Sequence, residues 1–137
     1  MRLLIWHVDR FRAEPTERGR SKVADSEPAT VAVEDALVIF AAAEKQDEAD
    51  SDAVAGRAAA AIEDVAQRLG ARTVVLHSFA HLFVELSSPA VARDILNATE
   101  QQLTSDGYSV SQSAFGWFNR LELHAKGHPL SRVARQV

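Results

Sequence analysis

Val54, Ala58, Ile62, Val65 and Leu69 recur at spacings of four, four, three and four, which places them on one face of a helix. Gly70 supplies the stop, and two residues later the chain turns β-favouring at Thr73-Val74-Val75-Leu76-His77. A helix closed so soon before a strand predicts a crossover, the connection that parallel strands require. The preceding strand is read over Val31 to Glu44, centred on Leu37-Val38-Ile39-Phe40, and Asp50 or Ser51 caps the helix. A second helix opens at Ser88 with Pro89 in its first turn, carries Val91, Ile95, Leu96, Thr99 and Leu103 as its buried stripe, and ends at Gly107. Leu3 to Val8 reads as a first strand, and Tyr108 to Phe115 and Trp117 to Ala125 as the last two. Arg10 to Thr30, polar and broken by Pro15, Gly19 and Pro28, reads as a long loop or an edge excursion. The order β-β-α-β-α-β-β predicts an α/β fold: a single domain over residues 1–137, a two-layer sandwich of a mixed sheet with two helices on one face.

A chain of 137 residues is long enough for one real core. It has no cysteine, which excludes a disulfide framework and any cysteine-ligated metal. No apolar run approaches the roughly 20 residues that span a bilayer, and His7 and Asp9 interrupt the N-terminal apolar stretch too early for a secretion signal. A cytosolic protein is the expectation. The net charge of −4 is unevenly spread: residues 1–24 carry +3, residues 25–106 carry −10 and residues 107–137 carry +3. Basic ends around an acidic middle offer a polyanion a local positive surface despite the overall sign.

The stretch from Thr73 to Glu85 is the first candidate for chemistry. A strand running into Ser78-Phe79-Ala80-His81 and then a helix start places backbone N–H groups and His81 where ligands of helix-covered sheets gather. Ala41-Ala42-Ala43, at the end of the second strand, leaves room for close approach. Ala114-Phe115-Gly116-Trp117 has the composition of a facing wall. His81 and Glu85 stand four apart but lack a third ligand, so no metal site is expected. GxSxG, Walker and GxGxxG patterns are all absent. Such a chain either binds without reacting, or rests its chemistry on backbone donors, one or two polar groups and the substrate itself.

Phe79-Ala80-His81-Leu82, Glu85-Leu86, Pro89, Asp94-Ile95-Leu96-Asn97, Phe115-Gly116 and Lys126-Gly127-His128-Pro129-Leu130 resemble, in order, the N-terminal editing domain of archaeal threonyl-tRNA synthetases. His7 and Asp9 match its first-strand motif, and Arg18-Gly19-Arg20, Phe40 and Glu44-Lys45 fit more loosely. The resemblance implies a fold like that of D-aminoacyl-tRNA deacylases, a homodimer, and hydrolysis of serine wrongly attached to threonine tRNA, with no cofactor. The partner would be the charged 3′ end of that tRNA, and further synthetase domains would follow this segment. It also implies a site in which the amino acid lies between Phe79-Ala80-His81 and Phe115-Gly116. Ala43, Ala80 and Ala114 suit a wall tight enough to refuse threonine, and Glu44, Trp117 and Phe118 would complete the binding surface. The chain departs from the family at three positions: Asn119 stands where a lysine is common, Phe118 where a tyrosine is, and Arg132 where a glutamate is. The expected catalytic set is therefore His81, Phe115, Gly116 and Asn119, with Arg132 among the substrate contacts. A D-aminoacyl-tRNA deacylase and a non-catalytic amino-acid or tRNA-binding module are the alternatives.

Overall fold

The computed structural model describes residues 1–82 and 85–137. Phe83 and Val84, within the stretch from Thr73 to Glu85, lie outside the described residues. Six strands form one mixed sheet: β1 (Arg2–Arg18), β2 (Val31–Ala42), β3 (Thr73–Ser78), β4 (Ser109–Gln112), β5 (Trp117–Ala125) and β6 (Arg132–Gln136). Helices α1 (Ser51–Leu69) and α2 (Pro89–Ser105) connect β2 to β3 and β3 to β4, and both of those strand pairs are parallel. The two crossovers leave both helices on one face of the sheet. There Val54, Ala58, Ile62 and Val65 of α1 and Ile95, Leu96 and Leu103 of α2 meet Leu3, Ile5, Leu37, Ile39, Val74 and Leu76. The caps are those the sequence implies: Asp50 accepts the Ala53 N–H at 3.2 Å, Ser88 opens α2, and Gly70 ends α1 in the left-handed region at φ 65°.

Two features differ from the expectation. The region from Arg10 to Arg18 is strand, not loop, and β6 is an additional strand. Both follow from the shared outer edge of β1. β6 pairs with Arg2 to Trp6, and β5 takes over from Val8 to Arg18, so the long first strand is hydrogen-bonded on both sides. Tertiary pairing overrides the polar composition that made Arg10 to Arg18 look like a loop.

The alternation along β1 changes phase in mid-strand. Leu4, Trp6 and Val8 face the side without helices, and so do Phe11 and Ala13. Strict alternation would have put Arg10 and Arg12 there instead. The extra residue is Asp9, where the register against β5 slips between Val8 and Arg10. β2 makes the matching change at Asp35, a non-glycine residue at φ 45°, so Val31 and Val33 join Ala36, Val38 and Phe40. Asp tolerates this backbone region better than most residues. Lys126 clamps the two irregularities together, reaching Asp9 at 2.8 Å and Asp35 at 3.0 Å. Its hydrogen bonds hold both carboxyls below their usual range. His7 completes the junction, with Nδ1 at 2.9 Å from His128 and Nε2 at 3.3 Å from Asp35.

The helix-free face carries a ring cluster. Phe40 meets Trp6, His77 and Phe79 edge-on at 6.0, 5.4 and 5.5 Å. His77 is buried among these rings, with Nδ1 2.6 Å from Ser113 Oγ, and burial pushes its imidazole down to about 4. An unfolded chain takes up this proton near pH 6.5 and the folded one only near 4, so stability present at neutral pH is lost as the pH falls through that window. Urea unfolding should therefore show the protein about 2 kcal/mol less stable at pH 5 than at pH 7. His77→Gln should remove most of that difference, leaving the smaller share from His7, which burial shifts in the same direction.

Candidate functional site

Parallel pairing brings the C-terminal ends of β2 and β3 side by side, with Ala41 against Ser78 as the last pair. Beyond it the backbone stays tied. Phe79 N–H donates to Ala41 O at 2.8 Å, Ser87 N–H to Ala43 O at 3.0 Å, and Lys45 N–H to Glu85 O at 3.0 Å. Ala80–Leu82 forms a single 3₁₀ turn, and α2 starts only at Pro89. His81 and Glu85 thus do not share a helical face.

The opposite wall is a turn gripped by the segment that follows β1. Gly19 N–H donates to Gly116 O at 2.8 Å, and Asp25 N–H to Phe115 O at 3.0 Å. Gly116 sits at φ 75°, and a Cβ there would lie 2.6 Å from the Ala24 methyl; a Cβ on Gly19 would lie 2.7 Å from the Gly116 carbonyl oxygen. Two glycines are required because two backbones touch.

Between these walls lie two joined cavities. The first, of about 190 Å³, is lined by Ala41, Ala42, Ala43, Ala80, Phe115 and Gly116, with Leu86, Pro89 and Leu96 closing its helix side. The second, of about 200 Å³, is lined by Arg20, His81, Ala114, Trp117 and Phe118. Ser21, Ser78, Ala80 and Gly116 belong to both. A small, mainly methyl-lined chamber thus opens into a more polar, aromatic one. No group of three or more metal-ligating side chains is present among the described residues.

The structure brings most of the expected site residues together and sets others apart. Ala43, Ala80, Phe115 and Gly116 line the first chamber, and His81, Ala114, Trp117 and Phe118 the second, more polar one. The Phe79 ring turns into the cluster on the helix-free face. Glu44 is held by Arg2 Nε at 3.1 Å and lines neither chamber. Arg132 lies across the Trp6 ring, 5.4 Å from its centroid, on the far side of the sheet. Asn119 turns its amide back on its own turn, donating to Trp117 O at 3.0 Å and Ala114 O at 3.4 Å, and it too lines neither chamber. Ser21 and Ser78 are wall residues that no motif marked, because their place depends on segments that meet only in the fold.

The backbone donors are also sorted. Phe79 N–H is committed to Ala41 O, and Phe115 N–H to the Asp25 carboxylate at 2.8 Å. The Ala80 and Gly116 N–H groups make no such bond among the described residues.

The small chamber lies at the ends of two parallel strands, and short side chains, main chain and the Phe115 ring line most of it. Residues 1–137 match the family described as the archaea-specific editing domain of threonyl-tRNA synthetase, and the chain belongs to that family. It is 43% identical over 139 residues to a threonine–tRNA ligase of Methanopyrus kandleri, and 34% identical to that of Thermococcus gammatolerans. In both cases all of this chain is covered, but only 22% of the relative. Among solved structures, the c-Myc DNA unwinding element binding protein shares the fold at a TM-score of 0.63 with 10% identity, over 100% of this chain and 99% of that one.

Gly116→Ala tests the touching backbones. A side chain in the left-handed region costs about 1–2 kcal/mol before any clash, so a loss of at least that size in urea unfolding is expected. Gly19→Ala, whose methyl would meet a carbonyl oxygen, should be similarly destabilised.

Proposed function

We propose that residues 1–137 are a proofreading domain that hydrolyses L-serine from mischarged threonine tRNA. The observation that carries this reading is the pair of joined chambers, one lined largely by alanines and the other by Arg20, His81, Trp117 and Phe118, groups suited to a nucleoside and its phosphate. Serine and threonine differ by one methyl group, and a methylene-sized contact discriminates by only about 1–3 kcal/mol. A second, smaller pocket that admits serine and refuses threonine supplies the remainder, and Ala41, Ala42, Ala43 and Ala80 form such a wall. The terminal adenosine is placed in the second, aromatic chamber against His81, Trp117 and Phe118, with Arg20 beside it for the phosphate. His81 is a positioning group for this nucleoside.

In the mechanism water attacks the ester carbonyl, and the N–H groups of Ala80 and Gly116 receive the developing oxyanion. Its collapse breaks the bond to the ribose oxygen, which takes up the proton lost by the water and leaves as the hydroxyl of the uncharged tRNA while serine is released. The free ribose hydroxyl beside the ester orders the attacking water. Proximity and preorganised dipoles provide the rate enhancement, with no demand for a lysine at position 119. The domain acts without a cofactor, in the cytoplasm, as a homodimer and as one part of a larger synthetase.

The decisive comparison is deacylation of Ser-tRNA(Thr), Thr-tRNA(Thr) and a D-aminoacyl-tRNA under one condition. Only the first should lose its amino acid; hydrolysis of the D-aminoacyl substrate instead would select a D-aminoacyl-tRNA deacylase, and binding without hydrolysis a non-catalytic module. Replacing the free ribose hydroxyl with hydrogen should slow hydrolysis by at least roughly a hundredfold with binding nearly unchanged. Asn119→Ala should stay within about tenfold of the parent rate. Light scattering at micromolar concentration should report a dimer.

A further inference from the structure

The Phe115-Gly116 turn forms a wall of the small chamber and reaches the second through Gly116, and within its own sequence only the Asn119 amide braces it. Its anchor is Asp25, 90 positions away in the chain. One carboxylate oxygen accepts the Phe115 N–H at 2.8 Å, and the other accepts Arg93 Nη2 at 2.7 Å. The Asp25 main chain adds two more bonds: its N–H donates to Phe115 O at 3.0 Å, and its carbonyl accepts the Trp117 indole N–H at 2.9 Å. Arg93, projecting from α2, also donates to Val23 O and lies over the Phe115 ring, 5.9 Å from its centroid. A single residue thus grips the turn at Phe115 and Trp117, on both sides of Gly116, and is itself gripped by a helix that lines the small chamber through Pro89, Ala92 and Leu96.

We infer that Asp25, held by Arg93, is a positioning and specificity-determining residue: it sets how closely the Phe115-Gly116 wall approaches Ala43 and Ala80, and so how large a side chain the small chamber admits. The argument is one of geometry. Ala41 and Ala42 lie in the sheet ladder, and Ala43 and Ala80 follow closely on its ends. The Ser87 N–H to Ala43 O and Phe79 N–H to Ala41 O bonds tie them down, so that wall is the firmer of the two. The opposing wall hangs on a turn outside the ladder: Asn119 braces the turn internally, and the Asp25 contacts and Gly19 fix where it sits against the rest of the fold. A charge-assisted pair to Arg93 and a carboxylate-to-backbone bond are the stronger kinds of hydrogen bond, suited to holding a wall against an entering methyl group. Asp25 does not reach the reacting atoms; it acts through the wall.

The substrate part of this inference rests on the proposed function, whereas the anchor itself can be read without substrate. The protein has two tryptophans, Trp6 and Trp117, so the Trp117 indole N–H is one of two such resonances in a proton–nitrogen spectrum. Asp25→Ala should shift that resonance and speed its exchange with solvent while leaving Trp6 in place. In the same variant the ratio of threonyl- to seryl-tRNA(Thr) hydrolysis should rise by about tenfold or more, because the wall no longer rejects the methyl group. Asp25→Asn keeps an acceptor for Phe115 and should recover most of the resonance position and part of the discrimination. Arg93→Met keeps the aliphatic stem but not the charge, and should show the same change as Asp25→Ala to a smaller degree. A Trp117 resonance unmoved in Asp25→Ala overturns the anchor. A moved resonance with an unchanged threonyl-to-seryl ratio overturns the specificity role. If the parent protein hydrolyses neither substrate, the functional reading and its specificity consequence fall together, and the Trp117 resonance still decides whether Asp25 holds the turn.

Discussion

Parallel pairing of β2 with β3, from Ala36 against Thr73 to Ala41 against Ser78, is the constraint on which the rest of the molecule depends. Two parallel neighbours cannot be joined by a hairpin, so α1 must cross back over the sheet, and α2 repeats the manoeuvre between β3 and β4. Both helices then share a face and a core, and both strand ends open at the same edge. That edge is where unpaired backbone, short side chains and the start of α2 come together. The fold creates a place for a small ligand before any individual side chain has been chosen for chemistry.

What the sequence disclosed follows from how local the cause was. The stripe from Val54 to Leu69, the Gly70 stop and the Ser88-Pro89 start are decided within a few residues of themselves, and they form as their spacing implies. Arg10 to Arg18 becomes strand for a reason that lies more than a hundred residues away in β5, which composition alone does not disclose. The candidate site divides along the same line. The alanines and the Phe115-Gly116 turn were legible because small residues beside strand ends carry a steric message. Asp25 and Arg93 were not, because an acid in a polar stretch and an arginine on a helix look like ordinary surface until the fold closes them on one turn. Arg132 and Glu44 illustrate the converse: matched in order along the chain, they lie outside both chambers in space.

The midpoint of β1 shows a similar economy of means. Strict alternation would have put Arg10, Arg12 and Glu34 beside Trp6, Val38 and Phe40 in place of Phe11 and Val33. One extra residue in β1 and one left-handed aspartate in β2 avoid this, and a single lysine just past β5 bridges the two carboxylates. The polar residues that look out of place in a strand are the means by which the apolar ones stay on one face.

The orientation of Asn119 has a consequence for how such a pocket changes over time. Its amide nitrogen donates to two carbonyls of its own turn, and its Oδ1 is buried without a partner among the described residues, so the nitrogen serves architecture rather than chemistry. The surfaces that remain in the small chamber are mostly main chain and apolar side chains, and main chain cannot be removed by exchanging one amino acid for another. A pocket of this composition has much to lose from a single added methyl at Gly19 or Gly116, where two backbones already touch. Its history is written in where the chain keeps residues small.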